Sequence, residues 1–268
     1  MSSQERPLAD NPLLDVTLVM PFFNPGGDAL GDTVVRAAET LASSKISFEV
    51  VAVSDGSTDG SARSIDGILP EVLVTIVLPR NRGKGYALRE GMSRGRGSYI
   101  GFIDADGDIA PEVLSEFVRA FTVQPDGSKP DIVYGSKRHP GLLVHYSVVR
   151  KVYSWVYQRL VNVLFDLSAA DTQTGVKFVR RDVLSTLLPY MTEDRFAFDL
   201  ELFVLARQAG FENFIEVPVR IEKRVSSTVS IRSVWSISRD TLGIFWRCRI
   251  RGGTSELRDS AIRARTAR

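Results

Sequence analysis

The chain has 268 residues, 44 % of them hydrophobic and 25 % charged, which is enough for one substantial core with appendages. A single cysteine, Cys248, excludes a disulfide framework and fits a reducing compartment, where it reads as a small packed side chain. Net charge is only +2, yet seven Arg against Glu256 and Asp259 fall within residues 247–268, so the preceding chain is net negative and the tail is basic.

The opening MSSQERPLADNPLL carries acidic residues and lacks an apolar core of signal length, so a secretory signal is not expected and residence in the cytosol is. Val16 to Met20 is a short apolar run that ends in PFFNPGG, followed by helical spacing over Ala29 to Leu41 with Asp28 or Asp32 near its start. Phe48 to Val53 is the next run and ends in SDGSTDGS; a third strand is expected around Val72 to Leu78. The loop PRNRGKG then opens a helix from about Tyr86 to Arg94, and Tyr99 to Ile103 is the fourth strand. Strands that recur with helical segments between them indicate a mainly parallel sheet of βα units, with the first 110 residues as a nucleotide-binding half.

Residues Ser98 to Asp108 read SYIGFIDADGD. A buried strand here would place Asp104, Asp106 and Asp108 just beyond its carboxyl end, where ligands bind in open α/β sheets. Ala105 and Gly107 are too small to block approach, so the three carboxylates can converge on one hard cation, Mg2+ or Mn2+, with positions left for a substrate phosphate. The alternative is a solvated Asp/Gly turn without a ligand. An EF-hand loop is excluded because its sixth and twelfth positions are Ile109 and Ser115. The chain has no GxGxxG after its first strand, and NRGKGY has Gly85 where a Walker loop needs Ser or Thr. Asp55 stands at the end of the second strand, where a carboxylate can accept hydrogen bonds from the ring N–H groups of uracil or guanine. Ser57 and Asp59 fit a helix cap as well as a ligand contact.

The segments PFFN, VVAVSDGSTDGS, NRGKGYALREGM and GFIDADGD, in this order, resemble the family 2 glycosyltransferases. The likeness continues through VYGSK, DTQTGVKF, RFAFDLEL and EVPVRI, and is nearest to the polyprenyl-phosphate branch of dolichyl-phosphate glucosyltransferases and mannose synthases. It implies an α/β chain of GT-A, Rossmann-like fold, a mainly parallel mixed sheet flanked by helices, with amphipathic helices at a membrane interface. By position it also implies that Pro21, Asn24 and Asp55 line the nucleotide pocket, that Asp104, Asp106 and Asp108 handle the metal and diphosphate, and that Lys84 lies near the diphosphate or sugar. Departures are Pro25, where an acidic residue is usual, Ser54 for the first Asp of a DDGS pattern, Lys137 with Arg138 for the Arg of GSR, and Val229 at a position commonly Lys.

The resemblance divides the chain into an N-terminal extension (1–13), a catalytic domain (14–230), a C-terminal amphipathic helix (231–250) and a basic tail (251–268). The catalytic domain comprises a nucleotide-binding half (14–110) and an acceptor half (111–230), the latter with an amphipathic segment at 142–165. Val144 to Leu164 and Ile231 to Trp246 are amphipathic at helical spacing and hold all three tryptophans, which suits docking in the plane of an anionic membrane as a peripheral protein on its cytoplasmic face. No run approaches the roughly 18 apolar residues of a spanning helix.

The expected reaction is a single inverting displacement that moves a glucose-like sugar from a nucleotide diphosphate donor, such as UDP-glucose, onto a polyprenyl phosphate. A phosphate monoester with a second pKa near about 6 is already largely ionised and needs no strong base. His139 and His145, the two histidines, therefore receive no role. Lys137, Arg138 and Arg224 are expected to hold the acceptor phosphate, with Asp171 and Gln173 ordering that side. Neither nucleic acid nor a fixed oligomeric state is implied, although a homo-oligomer is compatible. A saccharide hydroxyl as acceptor would instead need Asp199 or Glu201 as base. A catalytically silent nucleotide-sugar-binding protein at a membrane surface is the reading from a different class.

Overall fold

The computed structural model of the chain describes residues 14–122, 124, 127–136, 161, 165, 174–220, 239–250 and 255–266. Seven strands form one sheet in the order β3-β2-β1-β4-β6-β5-β7. β1 (Leu14–Phe22) is central to the first half; β2 (Phe48–Ser54) and β4 (Gly97–Ile103) pair with it in parallel, and β3 (Leu73–Val77) adds parallel to β2. β6 (Val176–Arg180) runs antiparallel to both β4 and β5 (Ile132–Ser136), and β7 (Phe214–Pro218) lies parallel to β5. The sheet is thus mainly parallel and mixed, as expected.

Alternate residues of each strand face opposite layers, so β1 reads as nearly continuous apolar sequence because both its faces are buried. Leu18, Met20, Val50, Ala52 and Phe178 meet α1 (Gly27–Ser43), α2 (Ser61–Ser64) and α4 (Leu114–Thr122) on one side. Val19, Val51, Val53, Ile100 and Phe102 pack on the other, against α3 (Lys84–Met92) and the helix Phe198–Gln208. The 239–250 helix, whose last turn Trp246–Ile250 is a π-helix, joins this second layer through Ile244 and Cys248. Cys248 is the packed side chain expected, and burial pushes its thiol up to about 11.

α1 begins at Gly27 behind Gly26, with no side-chain cap, so Asp28 stands at its start as expected and Asp32 lies about one turn further in. Because β4 and β5 both run against β6, they point the same way, and Ser136 ends at the sheet edge where Ile103 ends. Lys137 and Arg138, which follow Ser136 and are expected to hold the acceptor phosphate, lie outside the described residues.

Candidate active site

A cleft of about 930 Å³ opens at the carboxyl ends of β1, β2 and β4. Pro21, Asp55, Lys84, Asp104 and Asp106 line it, as expected. Phe23, Arg82, Arg195, Phe196 and Asp199 line it too.

Asp55 anchors the floor. Its two carboxylate oxygens accept the backbone N–H groups of Arg82 at 2.7 Å and Gly83 at 2.8 Å, which ties the loop after β3 to the end of β2. The loop is wedged from its other side by residues 193–195. Gly83 has φ +107, and a Cβ there would stand 2.3 Å from the Asp194 carbonyl oxygen, so both the conformation and the close approach require glycine. The Tyr86 N–H donates to that same Asp194 carbonyl at 3.1 Å. Arg89 donates to the Glu193 carbonyl and pairs with Asp194. A segment remote in sequence is thereby latched onto the loop that carries Lys84.

Lys84 Nζ lies 2.5 Å from Asp104 Oδ1 and 5.2 Å from the centroid of the Phe102 ring. Burial opposes its charge, but the carboxylates of Asp104, Asp199 and Asp106 outweigh that and hold Lys84 above the ordinary lysine range. Asp104 is placed by Gly175: the Asp104 N–H donates to the Gly175 carbonyl at 2.9 Å, and a Cβ at 175 would come within 2.2 Å of Asp104 Oδ2. Asp106 shifts the other way from a typical paired carboxylate. Burial raises its pKa and the carboxylates of Asp104 and Asp108 add to the rise, against the Asp108 N–H bond at 3.0 Å and the charge of Lys84.

Behind the cleft, Lys177 of β6 is fully buried and donates to Asp199 Oδ1 at 2.6 Å and to the Thr174 carbonyl at 2.5 Å. It lies 5.2 Å from the centroid of the same Phe102 ring. The other rival base, Glu201, does not line the cleft: it accepts from the N–H groups of Thr192 and Glu193, from the Thr192 hydroxyl and from Arg247.

Two further candidate residues, Asn24 and Asp108, are not among those that line the cleft. Asn24 is outside the cleft lining; with φ 48, it straps two loops together, its Oδ1 accepting the Thr58 N–H at 2.8 Å while its own N–H donates to Ser57 Oγ at 3.1 Å. Asp108 is also outside the lining, and its Oδ1 is buried without a hydrogen-bond partner. Asp104 and Asp106 thus share the cleft lining without Asp108, and among the described residues no group of three acidic, His or Cys side chains is arranged to hold a metal. Asp104 and Asp106 nevertheless fit a divalent cation: they are hard oxygen donors facing one cleft, and the like charges that raise the pKa of Asp106 are those a cation would relieve. Ser57 and Asp59 serve the loops, with Asp59 accepting from Ser61 and from the Gly26 N–H. Arg224, Asp171, Gln173, His139 and His145 lie outside the described residues.

Lys177, Arg195 and Gly175 were missed as site residues. The available signals were a lysine in the otherwise apolar strand VKFV, an arginine opening RFAFDLEL, and the glycine of DTQTG.

The sequence profile described as Glycosyl transferase family 2 matches residues 17–188. A dolichyl-phosphate beta-glucosyltransferase of Dictyostelium discoideum is 31 % identical over 61 % of this chain, which spans about half (52 %) of that protein's length. The Saccharomyces cerevisiae dolichyl-phosphate beta-glucosyltransferase is 28 % identical over 78 % of this chain and 67 % of its own. Among solved structures, glucosyl-3-phosphoglycerate synthase from Mycobacterium tuberculosis, in complex with Mn2+, uridine-diphosphate and glucosyl-3-phosphoglycerate, superposes with a TM-score of 0.64 at 17 % identity, over 88 % of this chain and 80 % of that one. Mannosyl-3-phosphoglycerate synthase from Rubrobacter xylanophilus gives 0.63 at 16 % identity, over 90 % and 76 %.

Proposed function

Because the chain belongs to glycosyltransferase family 2 and shares its GT-A architecture, we propose that its cleft transfers a glucose-like sugar from a uridine diphosphate donor to a dolichol-type polyprenyl phosphate. The observation that carries the choice of acceptor is the commitment of the two candidate bases. Glu201 is held by four donors away from the cleft, and Asp199 is ion-paired to a buried lysine. A sugar hydroxyl needs a base to take its proton, whereas an ionised phosphate attacks without one.

The residues then divide the work by position. Pro21 and Asp55 bound the nucleotide end, with Asp55 fixing the loop that delivers Lys84. Lys84 sets a positive charge beside Asp104, where the departing diphosphate accumulates negative charge. Asp104 and Asp106 would hold Mg2+ or Mn2+, which supplies neutralisation of the leaving diphosphate. Lys137, Arg138 and Arg224 hold the acceptor head group. An acceptor phosphate held opposite the departing diphosphate would attack in line, and inversion would follow from one displacement.

The lipid acceptor places the enzyme peripherally on the cytoplasmic face of a membrane. No helix among the described residues is long and apolar enough to cross one. Leu242 and Trp246, four residues apart on the 239–250 helix, are each 54 % exposed and give an apolar face for docking.

The test is incubation of the full chain with radiolabelled UDP-glucose and a polyprenyl phosphate, with Mg2+, Mn2+ or chelator. Label extracted into organic solvent only when metal and lipid phosphate are both present is the expected result. Label on free saccharide acceptors and none in lipid would overturn the acceptor.

A further inference from the structure

Lys84 is committed to Asp104 and Lys177 to Asp199, but the side chains of two arginines that line the same cleft, Arg82 and Arg195, make no hydrogen bond or ion pair among the described residues. Arg82 is nonetheless held in place. Its guanidinium carbon lies 3.4 Å from the centroid of the Tyr86 ring, so one face of the planar group is stacked while its edge, which bears the N–H donors, stays open. Arg195 arrives from a different part of the chain. Its Cγ stands 3.3 Å from where a Cβ on Gly83 would be, which sets its stem against the backbone between Arg82 and Lys84.

The latch described above explains why the two stay together. Asp55 grips the N–H groups of Arg82 and Gly83 from below. Arg89 and the Tyr86 N–H grip Glu193 and Asp194, the two residues before Arg195. Two fork-shaped donors, each on fixed backbone, thus face a cleft whose other charges are four carboxylates and one lysine. Carboxylates repel an anionic substrate and Asp104 offsets part of the charge on Lys84, so guanidinium groups not yet paired add cationic capacity to receive a phosphate beside that lysine.

We propose that Arg82 and Arg195 form a phosphate clamp: two guanidinium groups that grip a phosphoryl group through paired N–H donors as the substrate seats. This rests on the sugar-transfer reading and adds to it a pair of residues that reads phosphate by planar geometry. The phosphoryl group is shared chemistry, present in the diphosphate of the donor and in the head group of the acceptor.

The experiment uses the full chain and two probes. UDP with Mg2+ is titrated by calorimetry, and farnesyl phosphate is titrated in the transfer assay. The variants are the doubles Arg82→Gln/Arg195→Gln and Arg82→Lys/Arg195→Lys, with the single Arg195→Gln as a milder change, all checked for an unaltered thermal unfolding midpoint. The Gln double is expected to raise one constant, the Kd of UDP or the KM of farnesyl phosphate, by tenfold or more, and the Lys double to recover only part, because it restores charge without the fork. Loss in the UDP arm assigns the clamp to the donor; loss in the farnesyl phosphate arm assigns it to the acceptor. Both constants within twofold of wild type would overturn the clamp. Wild-type chain that binds UDP yet transfers no sugar overturns the function instead, and the UDP arm, which needs no turnover, still decides the clamp.

Discussion

At the scale of single residues, the site rests on charges held in unequal surroundings. Asp106 lines the cleft with no cation on its carboxylate, whereas Asp104 has Lys84. Asp106→Asn should therefore remove transfer by at least about 100-fold, the scale of losing one preorganised electrostatic contact, while the strand beneath stays folded. Turnover in Mg2+ and Mn2+ beside an unchanged unfolding curve is the measurement, and near wild-type rates would place the metal elsewhere. Lys177 behaves differently because it is structural. Lys177→Met leaves Asp199 buried and unpaired, at a cost of about 3–5 kcal/mol in denaturant unfolding, and Lys177→Met/Asp199→Leu should recover much of that. A single variant as stable as wild type would show that the pair contributes nothing.

At the scale of elements, the segment Thr192–Phe196 ties the 239–250 helix to the loop that carries Lys84. Arg247 on the 239–250 helix reaches Glu193 Oε1 at 2.5 Å and Glu201 Oε1 at 3.0 Å, joining the helix with the exposed Trp246 to the segment that carries Arg195. Burial raises the pKa of Glu193, and Arg247 opposes the rise. In the fold Glu193 thus holds its proton to higher pH than in the unfolded chain, so its contribution is fully present at low pH and declines as pH rises through its folded pKa. Arg247→Met removes the opposing cation and should make that decline steeper. The expected loss is about 1 kcal/mol, discounted for a half-exposed arginine, larger at pH 8 than at pH 5. Urea unfolding at the two pH values checks it, and Glu193→Gln in the same background should flatten the difference. Hydrogen exchange at residues 192–196 should speed up in Arg247→Met if the helix steadies the cleft.

At the scale of the whole molecule, the proposed lipid acceptor requires the cleft and a membrane-docking face to serve one surface. Trp246 and Leu242 should enter the interface of anionic vesicles, with a blue shift of Trp246 emission and co-sedimentation that weakens as salt shortens the Debye length to about 8 Å near physiological ionic strength. Leu242→Ser/Trp246→Ser should lower sedimentation while leaving UDP affinity unchanged. Sedimentation equal to wild type would assign docking to residues 144–164 or to the basic tail.

Strand and helix positions in the first half were legible in the sequence because each is a local pattern: Val16 to Met20, Phe48 to Val53 and Tyr99 to Ile103 are apolar runs closed by Gly-rich polar loops. The ends of those runs also marked Asp55, Asp104 and Asp106, since a buried parallel strand leaves its next polar residues at the ligand edge. Asn24 and Asp108 follow the same pattern but do not line the cleft: Asn24, with a left-handed φ, bonds to Ser57 and Thr58, and the Asp108 N–H donates to Asp106. What only the tertiary structure decided was which distant groups share a charge. Lys84 meets Asp104 across 20 positions, Lys177 meets Asp199 across 22, and Arg195 settles beside Gly83 because β6 is inserted antiparallel between β4 and β5 and the next helix returns over the cleft. Coulomb interaction acts through space and depends on burial, so these pairings, on which the proposed base-free transfer and phosphate clamp rest, are fixed only once the sheet is assembled.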